Sequence, residues 1–211
     1  FNPSRPALAD PRIRRALNRA LDRPALVQAA RGGAAEPLHG FVSPVHMGHV
    51  PTAETGAPRA AAKRLLAESG VGDGLSLTVD TPTALPDEAE ALAAAVAEQL
   101  RPLGVEMTVR RWADREAYAH RIRRSEIADL CVFDSSPMST FRVLHEKIDS
   151  RVQGSWWLGY RNPTVEGLID AARAETAATR RTTLYQQCFR LLQDDPPWLY
   201  CYCHRKRIGL A

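Results

Sequence analysis

The chain has 211 residues, of which 45% are hydrophobic, and a formal net charge of +4 at pH 7. A chain of this length and composition can bury a sizeable core, as one large domain or two small ones. The mildly basic charge falls short of the balance found in dedicated nucleic-acid-binding proteins, and no apolar run approaches the length of a membrane span. We therefore expect a globular protein whose segment makes no direct contact with nucleic acid.

Two short helices are predicted at the start of the chain. Asp10 is placed to cap the first helix, and Pro11 occupies its first position, where a missing N–H costs nothing. Asp22 marks a second helix start, and Gly32 and Gly33 mark the end. Residues 34–58 contain seven Pro and Gly residues, so we expect a loop, and a helix is predicted over 58–69.

The first helices are rich in arginine. Those at positions 12, 15, 19 and 23 recur every three or four residues, so we expect them to share a solvated face. A phosphate-binding helix is the alternative, but no aromatic residue or recognition-helix turn accompanies the arginines.

A strand–helix–strand unit is predicted in the middle of the chain. "LSLTVDT" (Leu75–Thr81) and "VEMTVRRW" (105–112) alternate apolar and polar residues, which is typical of half-buried strands. Between them, "PDEAEALAAAVAEQLRPLG" (86–104) carries acidic residues at its start and Arg101 at its end, as the helix dipole favours. This order predicts a βαβ-like unit with short connections.

The second half is also predicted to mix helices and strands. "DREAYAHRIRRSE" (114–126) is typical of an amphipathic helix, and the apolar run "ADLCVFD" (128–134) is expected to be a central strand. An irregular region follows over 135–163. Two helices and a final strand are predicted over Thr164–Glu175, Thr179–Gln193 and 198–211. The chain shows no repeat or linker, which predicts one α+β domain spanning residues 1–211, a mixed sheet packed with helices.

The four cysteines form no C-x-x-C pair: they are Cys131, Cys188, Cys201 and Cys203. We expect buried thiols in preference to a disulfide framework, because a chain of this size does not need covalent stapling.

No catalytic motif is evident. The G-x-S-x-G elbow, the G-x-G-x-x-G loop and the P-loop are absent, and "HEKID", from His145 to Asp149, lacks the second histidine of a zinc protease. A loop carries His39, His46 and His49, which in principle suit a metal, but the preferred interpretation is an exposed polar loop. We expect neither an enzyme nor a metal or cofactor.

Five stretches, taken together and in order, resemble a known family. They are "LADPRIRRALNRALDRPALVQAARGGAAEP", "APRAAAKRLLAESGVGDGLSLTVDT", "LAAAVAEQLRPLGVEMTVRRWADREAY", "YRNPTVEGLIDAARAE" and "RTTLYQQCFRLLQDDPPWLYCY". This series is similar to the family 5 extracytoplasmic solute-binding proteins, the receptors of ABC importers for peptides, nickel complexes and related solutes. The resemblance covers nearly all of the chain.

The resemblance implies that the chain is the C-terminal lobe of a two-lobed, periplasmic-binding-protein-like clamp. The sequence opens "FNPSRPALAD" without an apolar leader, so we expect a mature protein or a fragment. The implied partners are a small-molecule or peptide solute, the missing N-terminal lobe and the membrane permease of an ABC importer. The implied location is periplasmic or membrane-anchored extracytoplasmic.

The resemblance also implies that the ligand lies against "FDSSPMSTF", the loop after the "ADLCVFD" run. In the family an acidic group of this loop can pair with a peptide's amino end; here Asp134 is acidic, and serines stand where further carboxylates are expected. Asp134 alternatively caps the following turn. The tryptophans at 156 and 157 either wall the cleft or plug the underside of the domain. The expected ligand-binding residues are Phe133, Asp134, Ser135, Ser136, Arg142, Trp156 and Trp157.

Two other functions stay open. Four cysteines without a framework suit a reducing compartment, so the alternative is the ligand-sensing lobe of a cytosolic transcriptional regulator. A third hypothesis is binding of nickel- or haem-type ligands through His46, His49 or His145.

Overall fold

The computed structural model describes residues 1–51, 58–71, 74–84, 86–135, 138–154 and 157–205. The first elements are α1 (Pro6–Ala9), α2 (Pro11–Ala20) and α3 (Arg23–Arg31). The predicted caps are confirmed, since the Asp10 side chain accepts a hydrogen bond from Arg12 N at 2.8 Å and the Asp22 side chain accepts one from Ala25 N at 3.0 Å. Gly32 ends α3 with a φ of +54°, a conformation that glycine adopts without a Cβ penalty.

The prediction that the arginines share one solvated face is wrong for Arg23. Arg12 and Arg19 are exposed, but Arg23 is only 6% exposed. The extended backbone at Leu21 separates α2 from α3, so the helical period of α2 does not continue to Arg23. Arg14, between the predicted positions, is also buried, at 4%.

The next elements form a parallel sheet with its crossover helices. They are β1 (Ala35–Pro37), α4 (Pro58–Glu68), β2 (Leu75–Pro82), α5 (Ala89–Leu100), a 3₁₀ turn (Arg101–Leu103), β3 (Val105–Trp112), α6 (Arg115–Arg123) and β4 (Leu130–Cys131). The strand order is β3–β2–β4, and β2 and β3 pair from Leu75 opposite Val105 to Pro82 opposite Trp112. The predicted βαβ unit is confirmed.

The prediction of a central strand over 128–134 is wrong. In the described part of the chain β2 is the central strand, and β4 pairs at the sheet edge over two residues, Leu130 and Cys131. The run is apolar because Leu130 is buried in the cluster at the parallel sheet. Cys131 and Phe133 pack against the cluster that contains Tyr118 and Ile122 of α6. Burial under a helix and burial between two strands produce the same apolar pattern.

The last elements are α7 (Thr140–Lys147), α8 (Pro163–Ala174), α9 (Ala178–Asp194) and β5 (Tyr202–His204). Strand β1 lies within the segment predicted to be loop and pairs antiparallel with β5, from Ala35 opposite His204 to Pro37 opposite Tyr202. The predicted final strand is therefore short within the described residues, and 206–211 lie outside them.

Two large apolar clusters form the core. One lies among α2, α4, α5 and the parallel sheet, and includes Leu17, Leu66 and Val79. The other joins α7, α8 and α9 and receives Phe41 and Tyr200 from outside those helices. The chain thus has an α+β architecture with its parallel and antiparallel pairings in separate sheets. Among the described helices, none combines the length and apolarity needed to cross a membrane.

Candidate functional site

The topology of the parallel sheet predicts a crevice at one edge of the sheet. The chain leaves β2 for β3 on one side and returns through α6 to β4 on the other side. Neighbouring strands whose connections diverge in this way leave a crevice at their carboxyl ends, where ligands of open α/β sheets bind. Residues 132–135 leave β4 at this edge, and we call them the β4 exit segment.

Hydrogen bonds hold the start of the β4 exit segment on the sheet. Val132 N donates to Asp80 O at 2.9 Å, and the hydroxyl of Tyr118 on α6 donates to Val132 O at 2.5 Å. One residue further on, the Phe133 ring lies edge-on to Trp198, with centroids 5.1 Å apart. These contacts fix the backbone from which the next residues project.

The rest of the exit segment is open to solvent. Asp134 and Ser135 are exposed, while Phe133 is half-buried. The structure therefore brings Phe133, Asp134 and Ser135, all predicted to bind ligand, to the carboxyl edge of the sheet. Asp134 presents a carboxylate to solvent and Ser135 a hydroxyl. Ser136 lies outside the described residues, as does part of the turn that Asp134 would cap.

The predicted residues Arg142 and Trp157 have local partners. Arg142 stands in the first turn of α7, where its Nε donates to Glu146 Oε1 at 2.5 Å, and its side chain is 66% exposed. Trp157 is half-buried, and its Nε1 donates to Tyr160 O at 2.8 Å. Trp156 lies outside the described residues. The ligand-binding roles of these residues stay predictions.

A buried carboxylate next to the crevice was not anticipated from the sequence. The Asp80 side chain, 2% exposed, accepts hydrogen bonds from Arg110 Nε at 2.5 Å, Trp112 Nε1 at 2.9 Å and Ala128 N at 2.8 Å. Burial acts to raise the pKa of Asp80, but the hydrogen bonds from these partners outweigh it and hold the pKa below its ordinary value. In the sequence, the feature that could have revealed Asp80 is its place as an acidic residue near the carboxyl end of a strand whose other residues are apolar or hydroxylic.

Trp112 is itself held between two arginines. The Arg110 guanidinium lies 5.3 Å from the centroid of the Trp112 ring, and that of Arg121 lies 4.7 Å from it. Cation–π contacts of this length restrain the indole at the end of β3. The carboxyl ends of β2 and β3 are thus linked by the contacts of Asp80, Arg110 and Trp112.

Three large apolar side chains are exposed in the segments after β1 and before α7. Val45, Met47 and Met138 are 74%, 43% and 77% exposed. Thr140 Oγ1 donates to Met47 O at 2.9 Å, which ties the loop carrying Met47 to the start of α7, two residues after Met138. The exposure of these side chains could not be predicted from the sequence, because single apolar residues in loops show no periodicity.

The histidines considered as metal ligands make separate contacts. His46 Nδ1 lies 2.9 Å from Ser43 Oγ, and His49 Nδ1 lies 3.1 Å from Val42 O. His145 stacks on Phe141 with centroids 4.9 Å apart. Within the ranges that the structure describes, no three His, Cys, Asp or Glu side chains are grouped as metal ligands.

The comparison with protein families decides the classification. The model described as "bacterial extracellular solute-binding proteins, family 5 Middle" matches residues 1–140, about two thirds of the chain. The chain belongs to this family. The resemblance predicted from the five sequence stretches is confirmed. No curated protein matches the sequence significantly.

Solved structures show the fold of this family 5 chain. HbpA2 from Haemophilus parasuis superimposes with a TM-score of 0.85 and 21% identity, over 97% of this chain and 41% of that one. The oligopeptide-binding protein AppA from Bacillus subtilis, in complex with a nonapeptide, gives 0.82 and 21%, over 97% and 44%. The dipeptide-binding protein from Pseudoalteromonas sp. SM9913, in complex with Met-Leu, gives 0.83 and 20%, over 97% and 41%.

The fold class is thereby confirmed as a lobe of the periplasmic-binding-protein type. The family 5 chain spans about two fifths of the length of the solved structures it matches.

Proposed function

We propose that the chain is a single α+β lobe, residues 1–211, that binds a peptide-like or other small solute for an ABC importer. The observation that carries this proposal is the exposed carboxylate of Asp134 on a hydrogen-bonded backbone at the carboxyl edge of the sheet. In this class the solute lies between two lobes, so the other lobe and a membrane permease are the partners.

The side chains at the carboxyl edge of the sheet indicate the class of solute. An exposed carboxylate binds an ammonium group through charge-assisted hydrogen bonds, and the neighbouring Ser135 hydroxyl binds a carbonyl or amide. Met47 and Met138 offer flexible, polarisable surface for an apolar side chain. A peptide presents all three kinds of group. Peptides are also what AppA and the Pseudoalteromonas protein hold in their solved structures.

The protein acts by binding alone. The solute shifts the equilibrium between open and closed arrangements of the two lobes through its greater affinity for the closed state, and its bonds are unchanged. We place this receptor outside the cytoplasm, in the periplasm or anchored to the outer face of the membrane. The solute-contacting residues in the proposal are Phe133, Asp134, Ser135, Ser136, Arg142, Trp156 and Trp157.

A thermal-shift screen of the full-length protein tests the proposal. The panel consists of the dipeptide Met-Leu, a nonapeptide, a nickel chelate and a disaccharide. We expect stabilisation by at least one peptide, because a ligand at about 100 times its Kd stabilises the folded state by about 2.7 kcal/mol. A folded protein that no member of the panel stabilises contradicts the proposal.

A ligand-sensing lobe of a cytosolic regulator is the second candidate, and the free state of all four cysteines favours it. Fractionation of the native host, with a periplasmic and a cytosolic marker enzyme, separates the two. The receptor is expected with the periplasmic or membrane marker, and recovery with the cytosolic marker favours the regulator.

A further inference from the structure

The β4 exit segment depends on a strand that is too short to hold it alone. Strand β4 pairs with β2 at only two positions, Val79 opposite Leu130 and Asp80 opposite Cys131. A two-residue ladder leaves the following backbone with little restraint, since each strand–strand hydrogen bond contributes only about 1 kcal/mol. The position of Asp134 therefore needs other contacts.

Asp80 holds the chain on both sides of this short strand. Its carboxylate accepts a hydrogen bond from Ala128 N at 2.8 Å, before β4, and its carbonyl oxygen accepts one from Val132 N at 2.9 Å, after β4. Arg110 and Trp112 bind the same carboxylate and prevent it from turning away. One residue of β2 thus contacts the chain both before and after β4.

The Tyr118 hydroxyl, on α6, contacts both β2 and the β4 exit segment. This tyrosine is 1% exposed, and its hydroxyl lies 2.5 Å from Val132 O and 3.2 Å from Asp80 O, so one proton is shared between the last carbonyl of the β4 region and its partner strand. Phenylalanine would fill the same apolar space among Ile122, Ile127 and Leu158. The hydroxyl is therefore needed to position the backbone of Val132 and not to fill the apolar space.

We propose that Tyr118 and Asp80 are positioning residues, which fix the β4 exit segment so that Asp134 and Ser135 meet the solute in one defined place. This inference rests on the proposed function for its ligand, but its structural part stands on the hydrogen bonds alone. Both side chains are buried and act on the backbone, the Tyr118 hydroxyl at Val132 and the Asp80 carboxylate at Ala128, without touching the solute.

The test uses Tyr118→Phe, which removes the hydroxyl and keeps the ring. Tyr200→Phe is the matched control, because the Tyr200 hydroxyl is equally buried and donates to a carbonyl, Leu192 O at 2.9 Å, in the other apolar cluster. The readouts are amide exchange at residue 132 by NMR, urea unfolding, and binding of the dipeptide Met-Leu by calorimetry, all on the full-length protein. Tyr118→Phe is expected to speed exchange at residue 132 about tenfold and to weaken Met-Leu binding about fivefold to tenfold, as the loss of one buried hydrogen bond implies.

The control separates positioning from general stability. Tyr200→Phe is expected to lower the urea midpoint by a similar amount and to leave both the exchange at residue 132 and the Met-Leu affinity unchanged. The inference is overturned if Tyr118→Phe leaves exchange at residue 132 at the wild-type rate, or if both variants weaken Met-Leu equally. If wild type itself does not bind Met-Leu, the peptide assignment under the proposed function fails, and the exchange comparison alone decides the positioning role.

Discussion

Arg23 Nε donates a hydrogen bond to the carbonyl oxygen of Tyr200 at 3.0 Å, across 177 positions of sequence. The same guanidinium donates to Leu38 O at 2.8 Å and to Asn18 O at 2.9 Å. A side chain at the start of α3 thus joins the end of α2, the chain after β1 and the chain before β5. The buried guanidinium therefore holds these three backbone segments together.

Replacing Arg23 with methionine is expected to lower the free energy of unfolding by about 3 kcal/mol, because several buried carbonyl oxygens lose a charged donor. Urea unfolding followed by circular dichroism measures this. Arg19→Met, at an exposed position in α2, is the control and is expected to change stability by less than about 0.5 kcal/mol. Equal losses in the two variants would show that Arg23 is not buried as described.

The Asp80 carboxylate is expected to make stability depend on acid pH. Its folded-state pKa lies below the ordinary value, so its contribution is present above an unfolded pKa of about 3.9 and is lost as pH falls through the folded pKa. Asp80→Asn is expected to cost about 2 kcal/mol at pH 7, since a neutral amide replaces only part of the charge-assisted hydrogen bonds that the buried carboxylate accepts. The difference in the free energy of unfolding between Asp80→Asn and wild type, measured by urea unfolding, is expected to persist down to about pH 5. It is expected to shrink as the pH falls below 4.

Glu90→Gln is the matched control for Asp80, because Glu90 pairs with Arg111 on the adjacent position of β3 but at the surface. Exposed pairs contribute about 0–1 kcal/mol, so a small change with little pH dependence is expected. A gap between Asp80→Asn and wild type that stays constant from pH 7 to pH 3 would contradict the described ionisation of Asp80.

The thiols are expected to react slowly in the folded protein. Burial raises the pKa of Cys131 and Cys188 to about 12, so almost no thiolate exists at pH 8. Titration with Ellman's reagent at pH 8 is expected to modify Cys188 only after urea is added, and to find four thiols in the unfolded chain. Rapid modification of Cys188 in buffer alone would show that the α9 cluster opens readily.

The caps and the βαβ unit could be predicted from sequence because their determinants are local. Asp10, Asp22 and Gly32 act within one helical turn, and the alternation in β2 and β3 is visible in each strand by itself. The position of Asp134 at an exposed edge was anticipated through family resemblance, whereas the residues that hold it there were not. Asp80 and Tyr118 meet Val132 through long-range backbone contacts, which leave no pattern in the sequence.

The burial of Arg23 was mispredicted for a similar reason. The spacing of Arg23 from exposed arginines predicts that it faces water. Its burial is favourable because Leu38 and Tyr200 bring carbonyl oxygens from distant parts of the chain, in addition to the local ones of Asn18 and Leu21. The position of Met47 likewise depends on a long-range contact, the hydrogen bond that Thr140 at the start of α7 donates to its carbonyl oxygen.

Recognition of the solute at the β4 exit segment is tested by calorimetric titration of the full-length protein with the dipeptide Met-Leu, for wild type, Asp134→Asn and Glu106→Gln. Glu106 is an exposed carboxylate toward the amino end of β3, at the opposite edge of the same sheet. We expect one-to-one binding with the dipeptide recovered unchanged, about tenfold weaker binding for Asp134→Asn, and wild-type affinity for Glu106→Gln. Binding of equal strength to wild type and Asp134→Asn would contradict recognition of the solute at the β4 exit segment.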